Sequence, residues 1–185
     1  MKYDIEAKRT MYNGVQFRSR LEAKWACFFD LIGWKWTYEP CELNGYNPDF
    51  IIQCTGDQYG TNTMIVEVKP NVFLTEKEKI KFSKKYESIN AHFLILTESP
   101  FYLSDYDCLS IGIGYQSTCN DGDLYDIEMK SLNEIGSNYM IFDGMIYGDI
   151  ERKSFVYKND SLAMDIYSKW IEAGNVVMFE VNKNK

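Results

Sequence analysis

The chain has 185 residues, 45% of them hydrophobic and 25% charged, with a formal net charge of −7. That apolar content excludes intrinsic disorder, the length allows a sizeable core, and apolar runs of a few residues, such as Phe93 to Leu96, are too short to span a membrane. A single histidine, His92, excludes paired-histidine nucleases, His-Glu-x-x-His metalloenzymes and multi-histidine metal clusters.

Met1 to Glu6 carries early charges and no apolar segment of the secretory type, so the cytoplasm is the expected compartment, that of the host if the chain is phage-encoded. Ser19 to Ile32 reads as an amphipathic helix. Leu21, Trp25, Phe28, Phe29 and Ile32 recur at helical spacing, Ser19 and Glu22 make a capping box, and Gly33 closes the carboxy end. Arg18 and Arg20 stand at its entrance.

Trp34 to Tyr38 alternates with period two and stops at Pro40, which predicts a strand. Asp49 to Cys54 and Met64 to Lys69 are two more, expected to be antiparallel neighbours across the turn-rich residues 56 to 62. Leu74 to Asn90 returns to helical spacing, with a capping box at Thr75 and Glu78 and a stripe of Lys77, Lys81, Lys84 and Lys85. Residues 92 to 97 follow as a buried strand that contains His92, a strand residue rather than a base.

Beyond Pro100 short strands are expected at 109 to 115, 125 to 129, 139 to 142 and 145 to 147. A helix from Ser161 to Ala173 is predicted to end at Gly174, and Val176 to Val181 to form a last strand. The whole is expected to be one α/β domain, with a core over about 12 to 97 and an α+β elaboration over about 98 to 185. The five cysteines lack Cys-x-x-Cys spacing and read as free thiols rather than disulfides or a zinc site.

Chemistry concentrates in Glu22, Pro48-Asp49 and Glu67-Val68-Lys69. Side chains alternate along a strand, so Glu67 and Lys69 share a face, and Asp49 starts the neighbouring strand. Carboxylates brought this close raise one another's pKa unless a cation intervenes, and oxygen-only ligands suit Mg²⁺ or Mn²⁺. Lys69 beside such an ion is placed to handle the attacking water or the developing charge. Glu39, after the second element, is a further carboxylate within reach of this edge.

In this order and on these elements, Glu22, Pro48-Asp49 and Glu67-x-Lys69 resemble the PD-(D/E)XK nuclease superfamily, over roughly residues 12 to 97. The segment Phe17-Arg18-Ser19-Arg20-Leu21-Glu22-Ala23-Lys24-Trp25-Ala26 is similar to the opening of small nuclease-like proteins of phages and mobile elements. The resemblance implies a restriction-endonuclease-like core of helix, three strands, helix and strand. It further implies that Asp49 and Glu67 hold Mg²⁺ or Mn²⁺ with the Val68 carbonyl as an additional ligand, that Glu22 supports the metal or a second one, and that Lys69 is catalytic in hydrolysing DNA phosphodiesters.

Arg18, Arg20, Lys77, Lys81 and Lys84 are the expected DNA contacts. Residues 1 to 90 carry 13 basic against 12 acidic side chains, whereas residues 91 to 185 carry 7 against 15. A nucleic-acid surface is therefore expected in the first part only. The acidic second part motivates an alternative, a nuclease fold kept as a phage regulator or inhibitor that binds a host protein.

Overall fold

The computed structural model describes residues 7–43, 47–55, 61–70, 92–103, 108–116, 128–135, 138–142 and 161–183. Among these residues it is a mixed α/β arrangement of two helices, a hairpin and a seven-stranded mixed sheet.

The hairpin pairs β1 (Thr10–Tyr12) with β2 (Val15–Phe17). Its two-residue loop is Asn13-Gly14, both at positive φ (49° and 77°), which matches the right-handed twist of the strands. The sequence reading passed over this Asn-Gly signal.

Helix α1 (Arg20–Leu31) starts one residue after Ser19, whose hydroxyl accepts the Glu22 N–H as the capping box requires. It closes as a Schellman turn. Gly33, at φ +80°, donates to the Asp30 carbonyl, Trp34 donates to the Phe29 carbonyl, and the Phe29 and Trp34 rings stack at 5.9 Å.

The sheet runs β3 (Lys35–Tyr38), β4 (Phe50–Thr55), β5 (Thr61–Val68), β6 (His92–Leu103), β7 (Cys108–Gln116), β8 (Glu128–Ile135) and β9 (Asn138–Phe142), each beside the next. All neighbours are antiparallel except β5 and β6. A parallel pair demands a long crossover, which residues 69 to 91 supply. The predicted helix at 74 to 90, with its lysine stripe, and the strand at 145 to 147 lie outside the described residues. Strand β8 (Glu128–Ile135) continues six residues past the expected end at 129, and residues 125 to 127 lie outside the described residues.

Strand β6 runs past residue 97 by absorbing Pro100 in a register shift between Leu96 and Phe101, as a residue without an N–H requires. There the Thr97 carbonyl, freed from the ladder, accepts the Trp25 indole N–H at 2.8 Å. Strand β9 returns against β4, so the twisted sheet curls on itself.

One face of the sheet, with Phe50, Ile52, Met64, Val66, Val68, Leu94 and Leu96, packs in a single core with Phe17 and the buried side of α1. Ile65, Phe93 and Ile95 are buried as well, so β5 and β6 read as near-continuous apolar runs.

The carboxy-terminal segment corrects the sequence reading. Ser161–Lys183 is one helix, α2, and the expected strand at 176 to 181 is helical. Gly174 does not stop it. The stripe Ile166, Trp170, Ala173 and Val177 keeps helical period through the glycine and enters the core, where Trp170 meets Trp25 at 4.4 Å and Phe28 at 5.6 Å. Lys24 lies 3.8 Å from the centre of the Trp170 ring, and a Cβ at position 174 would stand 3.1 Å from its Cε. Gly174 thus marks a close approach of α1 and α2, and burial overrides the β-propensity of Val176-Val177. No helix among the described residues is long and apolar enough to cross a membrane.

The two secondary structures make different demands on residues 177 and 179, which a strand would put on the same face. In α2 Val177 is fully buried and Phe179 is 62% exposed. Val177→Asp should therefore lower the unfolding free energy in urea by about 3 kcal/mol or more, and Phe179→Ser should change it by no more than about 0.5 kcal/mol.

Candidate active site

Chain geometry brings the acidic residues to one end of the sheet. The β4–β5 register, Phe50 against Val66, carried one step further puts Asp49 opposite Glu67. The β3–β4 ladder also extends one bond, with Glu39 N–H donating to the Asp49 carbonyl at 2.9 Å, and Lys69 N–H prolongs β5 by donating to the Leu96 carbonyl at 2.8 Å. The amino end of α1 delivers Glu22 to the same place. Arg18, Glu22, Glu42, Asn47, Asp49, Glu67, Val68 and Lys69 together line a cleft of about 550 Å³.

The three expected carboxylates are buried, Asp49 to 3% exposure and Glu22 and Glu67 to 8% each. Each has assigned partners. Asp49 Oδ2 accepts the Val68 N–H at 2.7 Å, and its Oδ1 accepts from Arg18 Nη2. Glu67 Oε1 meets Lys69 Nζ at 2.5 Å. Glu22 Oε1 accepts the Ser19 hydroxyl at 2.8 Å, while its Oε2 accepts the Tyr38 hydroxyl at 2.5 Å and the Arg18 N–H at 3.2 Å. Capping the helix and entering the cleft are thus one placement of Glu22, because the same carboxylate does both.

Burial raises the Asp49 carboxyl above the usual carboxylate range. The Val68 N–H opposes this, Glu22 adds to it, and the charges of Arg18 and Lys69 offset it only in part. Tyr38 is pushed up to about 12, first by burial and then by its bond to Glu22. For Arg18, burial works against the charge, but Tyr38, Asp49 and Glu22 outweigh it and the guanidinium is held more firmly protonated than usual.

Arg18 and Arg20 separate here. Arg18 enters the cleft and joins it to Glu39, whose carboxylate lies 2.9 Å from Arg18 Nε, so Glu39 reaches the site through an arginine rather than directly. Arg20 does not line the cleft, and its buried Nε has no hydrogen-bond partner among the described residues. Lys77, Lys81 and Lys84 lie outside the described residues. Of the cysteines, neither the buried Cys27 nor the exposed Cys41 is in a disulfide.

Tyr38, Glu42 and Asn47 belong to the site's surroundings without having been singled out as functional. Tyr38 had a readable signal: it is the last inward position of a strand that alternates from Trp36, next to the strand that Asp49 opens. Its hydroxyl also accepts the Arg18 N–H at 3.0 Å, so it clamps the β2–α1 junction onto Glu22. Tyr38→Phe should cost about 1.5–3 kcal/mol in urea unfolding, the usual loss for a hydrogen bond to a charged group.

Asp49 and Glu67 line the cleft beside Val68, and carboxylate and carbonyl oxygens are the donors that a hard divalent cation takes. As the side chains stand, the chain balances that charge with Arg18 and Lys69. No three His, Cys, Asp or Glu side chains among the described residues are grouped so as to hold a metal ion. Comparison with protein-family models, with curated proteins and with solved structures returned no match.

Proposed function

We propose that the chain is a Mg²⁺- or Mn²⁺-dependent deoxyribonuclease with a restriction-endonuclease-like core of the PD-(D/E)XK type. The observation that carries this reading is the meeting of Glu22, Asp49, Glu67 and Lys69, from one helix and two adjacent strands, in a single cleft with all three carboxylates buried. Burying like charges is costly, and a stability requirement alone gives no reason to gather them.

Asp49, Glu67 and the Val68 carbonyl would hold the ion, with Glu22 supporting it. The ion, when bound, supplies charge neutralisation and polarisation of the scissile phosphate. Lys69 orients the attacking water or balances the charge that develops as the phosphorus–oxygen bond breaks. Arg18, at the cleft wall, offers a cation to a neighbouring phosphate.

The test is incubation of plasmid and oligonucleotide DNA with Mg²⁺ or Mn²⁺, with and without chelator. Metal-dependent cleavage that the chelator abolishes is expected. Absence of cleavage of any DNA with either ion sinks the nuclease reading. A second reading then takes its place, a nuclease fold that binds a protein partner. The exposure of Met164, Ile171 and Phe179 on α2, in the acidic part of the chain, favours it.

A further inference from the structure

We propose that Arg18 is an exchangeable counter-ion: it neutralises Asp49 until a divalent cation takes that carboxylate, then turns its freed guanidinium edge to a phosphate of the nucleic-acid backbone. This rests on the nuclease reading above and adds how one site couples its metal to its substrate.

Both oxygens of the buried Asp49 carboxylate are engaged, but their partners differ in freedom. The Val68 N–H belongs to the end of β5 and stays. The Arg18 side chain is 56% exposed against 5% for that of Asp49, so the movable member of the ion pair is the cation. Its main chain is fixed, because the Arg18 N–H is shared between Glu22 Oε2 and the Tyr38 hydroxyl, which confines any movement to the side chain.

Glu39 supplies a second anchor nearer the solvent, 2.9 Å from Arg18 Nε. It sits at φ +42°, in the left-handed region that disfavours a residue with a side chain, and directly before Pro40. The chain thus adopts an unfavourable backbone at the residue that seats a second carboxylate on Arg18. When Arg18 leaves Asp49, its Nε stays on Glu39 and its other nitrogens face the cleft. A planar guanidinium suits a phosphate there, because it can donate two parallel hydrogen bonds.

Charge explains why the exchange matters. Glu22, Glu42, Asp49 and Glu67 line the cleft against Arg18 and Lys69, so a phosphate meets repulsion until a divalent ion offsets the carboxylates. Release of Arg18 at that moment makes tight binding of DNA conditional on the metal.

Two measurements on the full chain test this. In calorimetric titration with Mn²⁺, Arg18→Gln should bind the ion at least about fivefold more tightly than the parent, because the competing cation is gone. In an NMR titration, the Arg18 Nε–H resonance, assigned through Arg18→Lys, should shift with Mg²⁺ and shift again when a short duplex oligonucleotide is added. The second addition uses the Lys69→Ala chain, so that the DNA survives.

A folded Arg18→Gln chain that binds Mn²⁺ equally or more weakly overturns the exchange. So does an Arg18 resonance that stays in place through Mg²⁺ saturation, and this result decides by itself if Arg18→Gln fails to fold. Either outcome in a parent that binds metal and cuts DNA removes the exchange and leaves the nuclease reading standing. A parent that binds neither ion removes both.

Discussion

Asp49→Asn is expected to reduce DNA cleavage by roughly 10³-fold or more, the scale of losing several kcal/mol of metal-derived stabilisation. The amide preserves the shape that fills the space between Arg18 and the Val68 N–H but lacks the charge that holds a divalent ion. Mn²⁺ titration should show the missing site directly.

The same variant also changes how stability depends on pH, with a sign set by the raised Asp49 carboxyl. A carboxyl whose folded pKa lies above its unfolded one holds its proton longer in the native state. It therefore carries no ionisation penalty at low pH, and stability falls as pH rises from the ordinary carboxylate value through the raised one. As pH rises through the raised value the native parent takes on this penalty, and asparagine, which has nothing to ionise, bears none. Between acidic and neutral pH the stability of metal-free Asp49→Asn in urea should therefore decline less than the parent's. A variant that loses both cleavage and stability at neutral pH would mean that Asp49 serves the fold first.

Lys69→Ala is expected to slow cleavage by about 10²-fold or more while metal and DNA binding persist. Lys69 is 38% exposed and reaches Glu67 from the cleft side, so its removal deletes a cation that competes with the metal and opens no hole in the core. Mn²⁺ should bind the variant at least as tightly as it binds the parent. A parallel fall in metal affinity and cleavage would instead make Lys69 a positioning residue for Glu67, and unchanged cleavage would remove it from the reaction.

How much of this was legible before the structure depends on how far apart the interacting residues lie in the chain. Helix α1 and its two caps were readable because Ser19, Glu22 and Gly33 act within a few residues of the backbone groups they satisfy. Strands β3, β4 and β5 were readable from residue pattern and from turn chemistry between them, and the antiparallel pairing of β4 with β5 was expected from the turn that joins them. The convergence of Glu67 and Lys69 was equally local, since two residues along a strand always return to the same face.

Other features depended on contacts that no short window contains. Gly174 and the β-branched pair after it spoke for a stop and a strand, yet the face that Trp170 and Val177 bury against α1 keeps the helix going to Lys183. The role of Tyr38 depends on a hydroxyl crossing from β3 to α1, and that of Arg18 on a side chain spanning Glu39 and Asp49. By itself the sequence determined which residue types could do chemistry and on which elements they stand, because periodicity and capping are short-range. Only the tertiary structure decided which of them meet, how deeply they are buried and which cation faces each carboxylate, because desolvation and charge pairing are properties of the assembled neighbourhood.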